Sequence, residues 1–123
     1  MKTLITMGLL ATLATSPLLA ADCVFPKSPL DKIPSGSTAQ KEELIAARKT
    51  VQEYIATMDT YIECLGNEYS ASSTKADVTE EQKTQLKTVF VQKSDAAQAE
   101  KEAVGLRMNE QLRAFNEKNK KPK

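Results

Sequence analysis

Residues 44–65 read LIAARKTVQEYIATMDTYIECL, and the spacing of apolar side chains in this stretch decides the fold. Apolar residues recur at every third or fourth position, which places them on one face of an α-helix for about six turns. The face consists of Leu44, Ala47, Val51, Tyr54, Met58, Tyr61 and Leu65, with Ile55 and Ile62 beside it. The stretch therefore predicts a long amphipathic helix.

Residues on both sides of this stretch indicate where the helix begins and ends. Ser37 is followed three residues later by Gln40, which is the spacing of a capping box, and Glu42 and Glu43 place negative charge in the first turn. Gly66 and Asn67 are typical of a helix C-terminus. We therefore expect the first helix to begin after Ser37 and to end at Gly66.

A second amphipathic helix follows a Ser-, Ala- and Thr-rich connection over residues 67–76. It begins at Asp77 or Thr79, since each has a glutamate or glutamine three residues later. Its apolar face consists of Leu86, Phe90, Ala97, Val104, Met108, Leu112 and Phe115, flanked by Val89, Ala96 and Ala103. Gly105 lies within this helix at a cost of about 1 kcal/mol relative to alanine. The pattern predicts an all-α, coiled-coil-like antiparallel two-helix hairpin over residues 37–119.

Charges suggest an alignment of the two helices. The first helix carries acidic residues where the second carries lysines. Three acid–lysine pairs have the same sum of residue numbers, so all three would lie side by side in one antiparallel alignment. These pairs are Glu53 with Lys93, Asp59 with Lys87 and Glu63 with Lys83. They agree with an antiparallel hairpin and predict a weak, solvent-screened attraction between the helices, without buried contacts.

Residues 22–36 form an arm that cannot be helical, because Pro26, Pro29 and Pro34 interrupt it. The chain has two cysteines, Cys23 and Cys64, and an even count in an exported chain is most simply one disulfide; a redox pair or two free thiols are the alternatives. A bond between them requires the arm to run antiparallel to the first helix in a nearly extended form. We expect its apolar residues to lie over the groove between the helices; they are Val24, Phe25, Leu30 and Ile33.

Residues 1–21 have the pattern of a secretory signal peptide. Lys2 precedes an apolar run that is too short and too Thr-rich to span a bilayer, and Ala20 and Ala21 supply a cleavage site. Asp22 separates these alanines from Cys23, which argues against lipidation. The sequence therefore predicts an exported bacterial protein, periplasmic or secreted, without a transmembrane anchor after processing.

Composition argues against several functional classes. The 123 residues include no histidine, so a histidine base and an imidazole metal site are excluded. Seventeen basic against 16 acidic residues give no basic footprint for nucleic acid. The adjacent carboxylates at Glu42–Glu43 and Glu80–Glu81 point about 100° apart on a helix and do not converge on a substrate. We expect no catalytic, metal-binding or cofactor-binding residues and no enzymatic activity.

A candidate partner surface consists of Tyr54, Tyr61, Lys93, Glu100 and Arg107. The charged members, with Gln111, fall near the apolar face of the second helix, where they form either a polar layer for a partner or long side chains reaching water from the seam. The two tyrosines, a heptad apart, are either core residues with wet hydroxyls or a ligand platform. The region from Arg107 onward is basic and ends in a tail over residues 120–123, which suits either an anionic surface or a frayed helix end.

Several short segments together resemble a family of small exported proteobacterial proteins that has no assigned function. They are Cys23 with Pro26, the Ile33–Ser37 helix entry, Tyr61 with Cys64–Leu65, and Asn109–Gln111 with Phe115. These positions are structural, so the resemblance implies an envelope location and no activity.

We expect a non-enzymatic cell-envelope or secreted protein that acts through its surface, because a two-helix seam leaves apolar area exposed. That area suits a homodimer, as a four-helix bundle, or docking on an envelope protein. The alternative is a periplasmic holdase-like chaperone that offers the same surface to unfolded clients.

Overall fold

The computed structural model describes residues 23–120, which contain two long α-helices and a short 3₁₀ turn at Leu30–Lys32. Helix α1 spans Lys41–Ser73 and helix α2 spans Glu80–Lys118. The two helices pack against each other as a hairpin, so the predicted all-α, two-helix class is confirmed. The predicted signal peptide at residues 1–21 and the end of the predicted basic tail at residues 121–123 lie outside the described residues.

Helix α1 begins later and ends later than the sequence suggested. The capping interaction uses Gln40 and Glu43, whose carboxylate accepts the Gln40 backbone N–H at 2.7 Å, and Ser37 lies in a turn before the helix. The helix also continues through Gly66 to Ser73. It continues because Tyr69, one turn beyond Leu65, stacks on Phe90 of α2 with ring centroids 5.2 Å apart. This packing offsets the low helix propensity of glycine.

Helix α2 begins where one of the two predicted caps placed it. Thr79 accepts the Gln82 backbone N–H at 3.2 Å, and the Gln82 side chain accepts the Thr79 backbone N–H at 2.9 Å. This reciprocal pair is a capping box.

The core is the seam between the helices, to which the arm adds Ile33 and Ala39. All seven predicted α1 residues are buried, and α2 contributes Ala97, Val104 and Met108. Ala97 and Val104 are both completely buried, and such small side chains let two helices approach closely. The outer members of the predicted α2 face are less covered, since Leu86, Phe90, Leu112 and Phe115 are only partly buried.

The predicted alignment of charges is wrong. Asp59 pairs with Lys101, two heptads beyond Lys87, while Lys83 bonds Glu80 of its own helix at 2.8 Å and Glu53 faces Lys49 at 4.0 Å. The extension of α1 to Ser73 moves the turn of the hairpin to Thr74–Thr79. Weak surface charges do not override that shift, because each exposed pair contributes well under about 1 kcal/mol.

The arm is joined to the hairpin at both ends. Cys23 and Cys64 form the predicted disulfide, with Cα atoms 5.8 Å apart. At the other end the Gly36 backbone N–H donates to the Gln111 side-chain oxygen at 2.9 Å, and Gln111 is the buried polar residue of α2. A Cβ atom at Gly36 would lie 1.8 Å from the Gln111 carbonyl oxygen, so the arm touches the backbone of α2 there.

Between these two ends the arm differs from the expected extended strand. Of its four apolar residues only Ile33 is buried, and Val24 is 79% exposed. The late start of α1 adds three residues to the arm, which can then reach roughly 60 Å and has slack over the ~35 Å of helix between Lys41 and Cys64. The 3₁₀ turn at Leu30–Lys32 and the turn at Ser35–Ala39 take up that slack.

We expect the double variant Cys23→Ser, Cys64→Ser to lower the free energy of unfolding by roughly 3 to 4 kcal/mol, the chain-entropy value for a loop of this length. Trypsin should cleave the variant faster at Lys27 and Lys32, both exposed residues of the arm. Chemical denaturation and timed digestion measure the two effects. Cleavage of the arm at an unchanged rate would show that the disulfide does not hold it.

We expect Gly36→Ala to lower the free energy of unfolding by more than about 2 kcal/mol, because the added methyl group would overlap the α2 backbone. Gln111→Leu should cost roughly 1 to 3 kcal/mol, since it leaves the buried Gly36 N–H without an acceptor. The control Ser37→Ala changes an exposed neighbour. Denaturant midpoints for the three variants provide the comparison, and equal stability of the Gly36 and Ser37 variants would contradict the close approach.

Candidate functional site

The five residues of the candidate partner surface lie in different environments. Tyr54 and Tyr61 are buried at 6% and 7% exposure. The Tyr61 ring meets the edge of Phe25 from the arm, with centroids 5.2 Å apart. The rings of both tyrosines are therefore covered by the protein itself.

The three charged members follow one row along α2, at intervals of seven residues. Glu100 is half-buried and its charge acts on Tyr54, whereas Lys93 is exposed. Arg107 is also exposed and faces Glu110 at 3.7 Å. Because Glu100 lies beside Tyr54 and Ser28 of the arm, this row marks the side of α2 on which the arm lies.

Beneath the arm lies a small polar cluster. The hydroxyls of Ser28 and Tyr54 are buried without a hydrogen-bond partner of standard geometry, although Ser28 is close enough to act on Tyr54. Desolvation by burial raises the pKa of Tyr54 above its ordinary value of 10.0, the nearby charge of Glu100 raises it further, and Ser28 partly opposes both. Tyr54 is therefore a neutral, structural phenol at physiological pH.

The seam is open where the arm ends. Two adjoining cavities at the hairpin end share Ser72, Leu86 and Val89, and the larger measures about 430 Å³. We call this surface the tip groove and define it as Leu65, Tyr69, Ser72, Leu86, Val89 and Phe90. Lys93 of the candidate surface lines its edge. The part of the tip groove over Leu86, Val89 and Phe90 is apolar, with Val89 47% exposed and Leu86 and Phe90 only partly buried. The larger cavity is also lined by polar side chains, namely Lys75, Asp77, Gln82 and Gln85.

The tip groove continues the path of the arm. On α1 the arm meets Tyr54, Tyr61 and Cys64, and Leu65 follows directly. On α2 the arm begins with Gly36 beside Gln111 and passes Glu100. Lys93 and Leu86, which line the tip groove, follow in the same direction. The hairpin thus presents one long groove, of which the arm fills the part nearest Gly36.

The sequence alone did not reveal the tip groove. A first helix that ended at Gly66 would have placed Tyr69 and Ser72 in a loop. The continued apolar spacing from Leu65 to Tyr69 was the available signal, and the glycine at position 66 outweighed it.

A second depression lies on the other side of the hairpin from the arm. It is lined by Ile45, Arg48, Gln52 and Ile55 of α1 and by Gly105, Asn109 and Leu112 of α2. We call it the open face, since no described residue covers it. Ile45 is 59% exposed there.

Within residues 23–120, no cluster of three or more His, Cys, Asp or Glu side chains is arranged to hold a metal ion. No helix in the same range has the length and apolarity needed to cross a membrane. The glutamates that the sequence pairs have local roles: Glu43 accepts the Gln40 N–H and Glu80 binds Lys83.

Comparisons of the chain with protein-family models, with curated proteins and with solved structures find no match. The functional interpretation therefore depends on the geometry of the two grooves.

Stability should fall as the pH rises above about 10, and Tyr54 should account for a measurable part of that loss. Its folded-state pKa is raised, so its contribution is complete below pH 10.0 and disappears as the pH rises through the folded-state value. At pH 7, Tyr54→Phe should leave the free energy of unfolding unchanged or raise it by up to about 1 kcal/mol, because it removes an unpartnered buried hydroxyl.

Denaturation of the wild type and the variant between pH 7 and 11.5 tests this expectation. The Tyr54→Phe protein should lose less stability than the wild type above pH 10. Tyr69→Phe serves as the control for a general effect of removing one tyrosine hydroxyl. Parallel alkaline losses in wild type and the Tyr54 variant would refute the assignment.

Proposed function

We propose that this protein is an exported, non-catalytic interaction module of the bacterial cell envelope, and that it binds an extended apolar segment of a partner protein in the tip groove. The observation that carries the proposal is the arm itself. The hairpin already holds one proline-rich, largely irregular segment beside its seam, from Gly36 to Cys23, and the same groove continues past Cys64 with exposed apolar side chains.

The chemistry of the tip groove favours a short extended segment. The larger of its two cavities, at about 430 Å³, lies in the range of roughly 300 to 1,000 Å³ in which binding pockets fall. The smaller cavity, of about 80 Å³, has Leu65, Leu86 and Phe90 as its floor and Glu68 and Lys93 at its rim. A segment with two or three apolar side chains would bury them on the floor, while its polar backbone could meet the two rim charges.

Export is supported by the pattern of residues 1–21 and by the Cys23–Cys64 bond, since disulfides persist in oxidising compartments. The resemblance to small exported proteobacterial proteins points to the same location. The proposal assigns no catalytic residue and no cofactor to the chain.

The holdase-like alternative uses the same groove differently. Val89 and Val91 are 47% and 42% exposed near the tip, and exposed apolar side chains attract unfolded chains without selecting one sequence. The two functions can be distinguished by counting the proteins that bind at the tip groove. A specific interaction module binds one partner, whereas a holdase binds many unfolded clients.

Site-specific photocrosslinking in the periplasm tests the proposal. Benzoylphenylalanine replaces Val89 in the tip groove or, as a matched control, Leu106, which is similarly exposed at 54% and lines neither groove. We expect one discrete adduct at position 89 that is absent at position 106. A synthetic peptide of the crosslinked partner segment should then bind the purified protein, and Val89→Lys should weaken that binding about tenfold while Leu106→Lys leaves it unchanged.

Other results would decide against a specific partner. A ladder of many adducts at position 89, together with slower thermal aggregation of citrate synthase, would favour the holdase-like alternative. Equal crosslinking at positions 89 and 106, or no adduct at either, would exclude the tip groove as the binding site.

A further inference from the structure

The open face contains a glycine that the packing within the chain does not explain. Gly105 lies in the middle of α2, where glycine lowers helix stability relative to alanine. A Cβ atom at Gly105 would find no atom within 4 Å, whereas at Gly36 it would collide with α2. Gly105 is half-buried beside the depression, and a glycine at such a helix position removes a side chain that would keep a second helix at a distance.

The helix face of α1 that lines the open face continues one to two turns beyond Ile55 to Asp59 and Ile62, and its residues can be paired about one central point. Ile45 and Ile62, Arg48 and Asp59, and Gln52 and Ile55 lie at equal distances on either side of the point between residues 53 and 54. When a helix meets an antiparallel copy of itself about that point, each residue faces its symmetric counterpart. Ile45 then meets Ile62, the cation Arg48 meets the anion Asp59, and Gln52 meets Ile55 at the centre.

The charges support this pairing. Arg48 has no ion pair within the described part of the chain, and the Asp59 side chain is 58% exposed although it binds Lys101. In the dimer, Arg48 of each copy would therefore bind Asp59 of the other copy, which still has lone pairs free to accept hydrogen bonds. The two-fold axis gives two such ion pairs per dimer.

The Asp59–Lys101 contact places Gly105 at the same level as this centre. Residue 59 of α1 lies opposite residue 101 of α2. Because the helices are antiparallel, moving back along α1 from residue 59 to the point between residues 53 and 54 corresponds to moving forward along α2 from residue 101 to residues 106 and 107. Gly105 is therefore within one turn of the centre, where helices that cross about a two-fold axis approach most closely.

We propose that the open face binds a second copy of this chain, antiparallel and about a two-fold axis, to form a four-helix bundle. The strip from Ile45 to Ile62 is about 26 Å long and, across two helices, about 20 Å wide. Its footprint is therefore roughly 500 Å² per partner, or about 1,000 Å² in total, which is at the lower end of the areas found for biological interfaces. The nearly balanced charge of the chain, 17 basic against 16 acidic residues, adds little repulsion between copies.

This dimer is independent of the proposed partner binding. The arm and the tip groove lie on the other side of each hairpin, so both remain accessible in the bundle. The two proposals can therefore fail separately: loss of the dimer leaves crosslinking at Val89 intact.

Cysteine crosslinking tests the register. Residues 45 and 62 lie about 26 Å apart on one straight helix, so no intramolecular bond can join them. In protein exported to the periplasm and purified, mixing Ile45→Cys with Ile62→Cys and adding a short bismaleimide should give a covalent heterodimer. The matched control mixes Ile45→Cys with Leu106→Cys, which should stay monomeric under denaturing electrophoresis. Equal yields in the two mixtures would overturn the register.

Sedimentation equilibrium tests the interface with variants that leave the monomer fold unstrained. Ile45→Glu and Arg48→Glu change exposed side chains and should each weaken dimerisation roughly tenfold or more. Leu106→Glu, also at an exposed residue, should change it by less than about twofold. A wild-type protein that stays monomeric at all concentrations, or a dimer that tolerates both substitutions, would overturn the proposal.

Discussion

The Cys23–Cys64 bond is the constraint on which the rest of the structure depends. Two helices packed as a hairpin share only one seam, and a seam that water reaches from both sides buries little apolar surface. The bond fixes the arm beside Tyr61, and the contact of Gly36 with α2 fixes its other end. The arm thus acts as a third element that closes one side of the seam and completes the burial of Tyr54.

This arrangement makes the two sides of the hairpin different. The arm side holds a buried polar cluster at Ser28 and Tyr54 and opens into the tip groove. The opposite side keeps apolar residues such as Ile45 in contact with solvent. Two distinct apolar surfaces suit the binding of other chains, and the proposals assign one surface to a partner and the other to a second copy.

Local rules predicted much of the scaffold. The seven buried residues of α1 follow from periodicity alone, because a helix of fixed pitch has only one face to bury. The capping box at Thr79 and the pairing of the two cysteines could also be predicted from the sequence. The tip groove was not, because two of its residues, Tyr69 and Ser72, fall in the connection predicted from Gly66. The packing of Tyr69 on Phe90 overrides that local signal.

The sequence by itself determined the two amphipathic helices, their inner faces and the disulfide, since these depend on spacing along the chain and on cysteine number. Only the tertiary structure decided the register of the helices, the start of α1 and the exposure of each groove. These depend on contacts between distant residues, such as Gly36 with Gln111 and Asp59 with Lys101, whose energies compete with local preferences of similar size. Periodicity can assign residues to a face, but it cannot tell which side of that face another segment of the chain will cover.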